Sequence, residues 1–461
     1  MIVSTLTGHE SRGRTIEAYH DLLTRGSLAE DSAAVLDQQL RVAGLFFGDR
    51  PLCSVLRPRF LSLADYREIA SASALVGQAF EKVRIAAMKD AALRAQFGLL
   101  DWEEVLVHAD PGYAAASPTS RLDAFFASPE QGGLKFTEYN AETPAGAAYN
   151  DALSKAFLAL PVMQAFQATH FPLPIPSAPG VVDALLRAFR QWRGTSEAPR
   201  VVILDWKEVP TASEFVLFER EFSARGIEVF IGDPRDAEFS NGKLTVAGRP
   251  VTMIYKRVLI DELVNREGLE SPVVRAVRAG AVCMVNSFGC KLLHKKASLA
   301  VLSDERQATL LSADEQAAVQ RHVPWTRVVE ERKTQHASGT VDLVPHIAAH
   351  REQLVLKPND EYGGKGIVLG WTVDDAVWQD AIRTALREPY IVQERVTLPS
   401  EPWPTLVDGA LHIGDRMLDT APFMTDGTLM NGCLTRIATD PLLNVTAGGG
   451  SNVPTFLVET R

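Results

Sequence analysis

Cysteine is scarce in this 461-residue chain, and the four present, Cys53, Cys283, Cys290 and Cys433, are scattered. There is no Cys-x-x-Cys pair and no histidine partner at zinc-finger spacing, so buried free thiols are expected rather than a disulfide framework or a structural zinc site. Basic residues are also in short supply. Lys plus Arg total 47 against 57 for Asp plus Glu, which leaves a formal net charge of −10. A nucleic-acid binder needs a dense basic face, and this balance argues against one. An anionic small molecule stays open, because a local cluster of Arg and Lys can sit in an acidic protein. No apolar run approaches the twenty residues of a membrane span. The N-terminal Met-Ile-Val-Ser-Thr-Leu-Thr-Gly meets charges too early for the apolar core of a signal peptide, and a reducing, cytoplasmic setting is the default expectation. Two nucleotide fingerprints are missing as well: the P-loop Gly-x-x-x-x-Gly-Lys-Ser/Thr and the dinucleotide Gly-x-Gly-x-x-Gly.

What is present is a globular composition, 46% hydrophobic and 23% charged, long enough for two or three domains. Residues 11 to about 100 read mainly as helices, with apolar positions at three- and four-residue spacing and a helix start at Ser62 and Asp65. The period then changes. Phe136, Glu138 and Asn140 alternate with Thr137 and Tyr139 before Pro144 and Gly146, so a regular strand puts Glu138 and Asn140 on one face together with Phe136. From Arg200 strands and helices alternate, through Val201-Val-Ile-Leu, Glu228-Val-Phe-Ile and Met253-Ile-Tyr, which implies a Rossmann-like parallel layer. These patterns divide the chain into residues 1–195, 196–295 and 296–461.

The third part holds the most informative stretch, Val355-Leu-Lys-Pro-Asn-Asp-Glu-Tyr-Gly-Gly-Lys-Gly-Ile-Val-Leu-Gly370. It reads as strand, glycine turn and strand. Lys357 leaves the first strand before the turn, and Gly363, Gly364 and Gly366 free the backbone to turn its N–H groups toward phosphate oxygens. Glu361 is the unusual member, an acid placed where it can hold Mg²⁺ against those phosphates. Glu138 and Asn140 supply two further hard oxygen ligands. Lys291, Lys295 and Lys296 open a helix, where cations are unfavourable unless an anion sits there too, so Lys295 or Lys296 is a phosphate candidate. The strand Tyr390-Ile-Val-Gln-Glu-Arg-Val396 ends at Gln393 and Glu394, groups suited to an adenine edge. Arg257 follows a parallel strand and Arg436 ends an apolar one; either guanidinium can fork onto a carboxylate or stabilise a phosphate.

Taken in order, Glu138-x-Asn140, Tyr255-Lys-Arg257, the Lys296 helix, Lys357-Pro through Gly366, Gln393-Glu-Arg-Val396, Thr435-Arg436 and Gly448-Gly-Gly-Ser451 resemble the circularly permuted ATP-grasp family, which includes the eukaryotic type of glutathione synthetase and the synthetase domain of glutathionylspermidine synthetase. The resemblance implies an α/β and α+β permuted ATP-grasp fold with a helical N-terminal part and a Rossmann-like substrate layer. It implies Lys296, Lys357, Gly363, Gly364, Lys365 and Gly366 around ATP phosphates, and Gln393, Glu394 and Val396 lining adenine. A lid follows over Thr446–Asn452 with Gly449 and Gly450. It further implies Mg²⁺ held by Glu138, Asn140 and Glu361, Arg257 and Arg436 near the acyl substrate, and small-molecule carboxylate and amine partners joined through an acyl phosphate. A phosphotransferase, or a degenerate ATP-binding module, is the alternative. Two positions depart from close bacterial members of the family: Ala421 stands before Pro422 where they carry arginine, and Asn452 follows Ser451 where they carry lysine.

Overall fold

The computed structural model describes residues 8–361, 364–440 and 450–460. Among them no helix is long and apolar enough to cross a membrane. The helix start at Ser62 opens one long helix, Leu63–Lys89, through a capping box in which Ser62 Oγ accepts from the Asp65 amide at 3.0 Å and the Asp65 carboxylate accepts from Ser62 N–H at 3.1 Å. Such a cap stabilises a helix by about 1 kcal/mol. Ile69, Val76, Phe80 and Val83 are buried at seven-, four- and three-residue steps and bring this helix onto the strand Leu134–Asn140, where Phe80 stacks on Tyr139 with ring centroids 4.5 Å apart. At Gly77 the helix meets the tip of a hairpin; a Cβ there would lie 1.8 Å from the Gly427 carbonyl oxygen.

The expected parallel layer is present. Its strands run in the order Cys283–Val285, Met253–Lys256, Arg200–Leu204, Glu228–Gly232, all parallel. Two antiparallel sheets frame the cleft. One, the clamp sheet, runs Thr326–Val328, Tyr390–Glu394, Leu354–Pro358, Val368–Leu369, the last two joined by the glycine turn. The other, the floor sheet, runs Ser400–Val407, Ala410–Leu418, Leu429–Ala438, Ala421–Thr425, Thr119–Phe126, Leu134–Asn140, with Ser451–Val453 added to Leu429–Ala438. Because the floor draws strands from the first and third parts of the chain, those two parts interleave and do not stand as separate layers. All four cysteines are buried and free.

One irregularity in the floor corrects the sequence reading. Strands Thr119–Phe126 and Leu134–Asn140 pair Asp123 with Glu138 but Ala124 with Phe136, so Thr137 is an extra residue, a β-bulge. Leu134, Phe136 and Tyr139 therefore share the core face, while Glu138 and Asn140 face the cleft. The two site residues do lie together, but not on the face of Phe136.

Candidate active site

Between clamp and floor lies a cavity of about 1190 Å³. The clamp sheet contributes Lys357. Its ammonium donates to Gln393 Oε1 at 2.7 Å and to the carbonyl of Thr137 at 3.3 Å, the residue that the bulge leaves without a register partner. Burial pulls Lys357 down from the ordinary lysine value to about 8; Glu138 and Asp123 oppose this, and neighbouring Lys296 adds to it. Lys296 bridges the two sheets. Its ammonium lies 3.0 Å from Glu138 Oε1 and donates to the Glu361 carbonyl at 2.6 Å. Burial and neighbouring Asp123 raise Glu138, but Lys296 and Lys357 together outweigh them and leave the carboxyl below its usual range.

The floor carries a charge cluster that sequence reasoning missed in part. Arg436 donates from Nη2 to Asp123 Oδ2 at 2.6 Å and from Nε to Asp419 Oδ2 at 2.6 Å. Arg121 forks onto the same Asp123 at 2.6 and 3.0 Å. All four side chains line the cavity. Burial would raise Asp123, yet Arg121 and Arg436 hold it well below the carboxylate range, whereas Asp419, with burial dominant and only Arg436 opposing it, is pushed up. The signal for Arg121 and Asp123 was legible: two charges at alternate positions of the strand Thr119–Phe126, flanking Leu122 and followed by Ala124, Phe125 and Phe126, mark one wetted face. Asp419 carried no comparable signal.

The structure separates the other candidates. Asn140 lines the cleft, with its Nδ2 buried and without a hydrogen-bond partner. Glu361 does not join Glu138 and Asn140: its carboxylate pairs with Lys365 at 3.2 Å, and only its carbonyl turns inward, to Lys296. Among the described residues no three His, Cys, Asp or Glu side chains are spaced to hold a metal ion. Gln393 reaches the cleft, but its side chain is committed to Lys357 and, through Nε2, to Thr326 at 3.0 Å. Glu394 and Val396 line the cleft wall beside Trp371, and Glu394 also accepts from the Trp325 amide. Gly364 lines the cavity and Gly366 takes φ +72°, a turn position open to glycine. Gly363 and Gly449 lie outside the described residues, and Gly450 is buried.

Arg257 is placed differently from the expectation. It is absent from the cavity lining, and its buried guanidinium donates to Glu214 Oε2 at 3.0 Å, the Pro144 carbonyl at 3.1 Å and the Tyr255 hydroxyl at 3.0 Å. Glu214 in turn accepts from the Gly146 amide at 2.7 Å, so Arg257 holds the cleft wall from behind. Lys295 is likewise turned away from the cleft, onto Glu103 and Asp360. Ala421 is buried among Ala147, Phe423 and Leu434, while Asn452 lines the cleft opposite Arg436 in register.

Residues 126–438 match the family described as circularly permuted ATP-grasp type 2, which is more than half of the chain. Two curated relatives are similar in sequence. "Putative glutamate–cysteine ligase 2-2" of Frankia casuarinae is 25% identical over 337 residues, and "Putative glutamate–cysteine ligase 2-3" of Frankia alni is 26% identical over 336 residues. Each alignment takes in 69% of this chain but 36% of the relative, so the chain spans about a third of the length of these proteins. Among solved structures, a glutathione synthetase-like effector from Globodera pallida superposes with a TM-score of 0.59, covering 93% of this chain and 96% of the effector. At 12% identity that likeness is one of fold.

Proposed function

The chain belongs to the circularly permuted ATP-grasp type 2 family, and from that premise we propose that it is an ATP- and Mg²⁺-dependent carboxylate–amine ligase. The observation that carries the reading is the single cavity in which Lys357 and Gly364 of the clamp face Glu138, Asn140, Arg121 and Arg436 of the floor. Phosphate-binding groups on one wall and paired guanidiniums on the other suit a reaction in which a carboxylate is brought to a terminal phosphate.

In this reading a carboxylate oxygen of the first substrate attacks the γ-phosphorus. The bond to the β-phosphate oxygen breaks and ADP leaves with that electron pair. An amine then attacks the acyl carbon, inorganic phosphate departs, and the nitrogen loses a proton to form the amide. Lys357 and Lys296 take up phosphate charge, and Arg436, braced by Asp123 and Asp419, meets the transferred group or the carboxylate. Arg121 shares Asp123 and so fixes its side of the floor. Walls closed around the acyl phosphate keep water from hydrolysing it.

The donors fit a hard divalent cation in part. Glu138 and Asn140 line the cavity, with Asp123 directly across the strand pair; the Asn140 side-chain oxygen is the ligand such an ion would take, since its unpartnered Nδ2 is a donor. Glu361 would have to leave Lys365 to join them. Mg²⁺ at these groups supplies charge neutralisation of the phosphates. The adenine end is the wall of Glu394 and Val396 beside Trp371.

The reading is tested by incubating the protein with ATP, Mg²⁺ and pools of amino acids, short peptides and polyamines. Phosphate release that requires both a carboxylate and an amine supports it. A stable phosphorylated product instead indicates a phosphotransferase, and a melting-temperature shift with ATP but no turnover indicates a binding module. No binding of MgATP overturns all three.

A further inference from the structure

A charge cluster whose lysines and carboxylates stand outside the cavity lining lies just beneath the glycine turn. Where strand Leu354–Pro358 ends, Asn359 is tied on every side: its amide donates to Pro389 O at 2.9 Å, its carbonyl accepts from Lys296 N–H at 2.9 Å, and its side chain joins Ala297 N and Phe97 O at 2.8 Å each. Asp360 follows. Its Oδ2 lies 2.7 Å from Lys295 Nζ and 2.9 Å from Lys291 Nζ. Both lysines are buried, and they are backed in turn by two fully buried carboxylates. Glu103, from the helix Asp101–Val107, lies 2.7 Å from Lys295 and 3.6 Å from Lys291. Glu142, just past the cleft strand, lies 3.4 Å from Lys291 and 3.5 Å from Lys256 of the parallel layer, and accepts from Ile260 N–H. His294 Nε2 stands 3.8 Å from Glu142 and 3.9 Å from Asp360.

Three ammoniums thus meet three carboxylates in the interior. Such a network contributes little net stability over apolar packing of the same volume, but each bond fixes direction. The residues that follow Lys295 and Asp360 are Lys296 and Glu361, which bond each other, and Lys296 continues to Glu138. The anchored end of the turn therefore adjoins Lys296, a cation that joins the turn to the floor.

We propose that Asp360 is a positioning residue: gripped by Lys291 and Lys295, it fixes the base of the glycine turn so that Lys296 stands at the phosphate end of the cleft. The phosphate role rests on the function proposed above, whereas the fixing of the turn does not. The tether joins the helical N-terminal part, the cleft strand and the parallel layer to a single carboxylate in the turn. Directly beyond Asp360, Glu361 gives its carboxylate to Lys365 and its carbonyl to Lys296, so the grip on Asp360 is one residue from a contact that holds Lys296.

Amide hydrogen exchange on the whole protein without nucleotide tests the tether directly. In Asp360→Asn, exchange in the peptide covering residues 357–369 is expected to speed at least tenfold while peptides elsewhere keep their rates, and Asp360→Glu should recover part of the protection. Glu103→Gln, far away in sequence, should loosen the same peptide to a smaller extent, and it serves if Asp360→Asn does not fold. Unchanged exchange over 357–369 in both variants overturns the proposal. A rise spread over the whole chain with a lower Tm also overturns it, since the bridge would then hold the fold and not the turn. MgATP titration of the same proteins should show at least tenfold weaker binding in Asp360→Asn with its Tm retained. If the wild type binds no nucleotide, the proposed function fails while the exchange result still decides the tether.

Discussion

Nucleotide affinity should fall as pH rises above about 8, and Lys357 sets that limit. Its ammonium sits in a low-dielectric corner with neutral partners, Gln393 Oε1 and the Thr137 carbonyl, and burial brings it to about 8. At pH 7 about nine-tenths of the free protein carries this charge, and at pH 9 about one-tenth. A phosphate beside Nζ favours the charged form, so the bound-state value is higher than the free one. The sign follows: affinity is level below pH 8, and it declines above it because binding must then take up a proton. Recharging the lysine at pH 9 costs about 1.4 kcal/mol, about tenfold in Kd relative to pH 7. Calorimetric titration with a non-hydrolysable ATP analogue and Mg²⁺, from pH 7 to 9.5 in two buffers of different ionisation enthalpy, reads both the slope and the proton uptake. Lys357→Met should weaken binding at pH 7 by about 1.5–3 kcal/mol, the worth of a hydrogen bond to a charged group, and should flatten the profile. A level profile in the wild type, or a slope that survives in Lys357→Met, would refute the reasoning.

Further outcomes follow from the same geometry. Glu138→Gln removes the anionic oxygen facing the cavity and should raise the Mg²⁺ concentration needed for half-maximal nucleotide binding about tenfold; an unmoved midpoint in a Mg²⁺ titration removes Glu138 from the metal site. Arg257→Met strands Glu214, which is fully buried, and should lower unfolding free energy by about 3–5 kcal/mol in urea denaturation. A stable Arg257→Met that binds the carboxylate substrate poorly would restore Arg257 as a substrate contact. Gly77→Ala drives a methyl into the Gly427 carbonyl and should lower the Tm with little change in nucleotide affinity at the native temperature; an unchanged Tm shows that the hairpin tip moves aside freely.

The features legible in the sequence were those fixed by neighbours along the chain. The glycine turn between Val355 and Leu369, the capping box at Ser62 and the parallel strands after Arg200 each follow from local pattern, and each is found. Burial partners were not legible, because they come from distant segments. Arg257 was read at the mouth of a parallel strand, but Glu214 and the Pro144 carbonyl claim it. Gln393 looked free for an adenine edge until the neighbouring strand brought Lys357 within 2.7 Å of it. The sequence places Glu361 as a metal ligand, yet its carboxylate pairs with Lys365, four residues on. Lys295 and Lys296 could not be told apart by composition. Their different directions, one toward Glu103 and the other toward Glu138, are set by the packing of the helix that precedes them.

The extra residue at Thr137 means that the wall of the cleft is defined by parity rather than by spacing. A plain strand with one residue fewer between Phe136 and Glu138 would turn the same side chains to the same sides, and it would forgo only the carbonyl that Lys357 uses. Kindred chains can therefore build this wall with either count. A search written with a fixed gap from apolar anchor to acidic pair would accept one set and pass over the other, and the two sets should differ in how their clamp lysine is held.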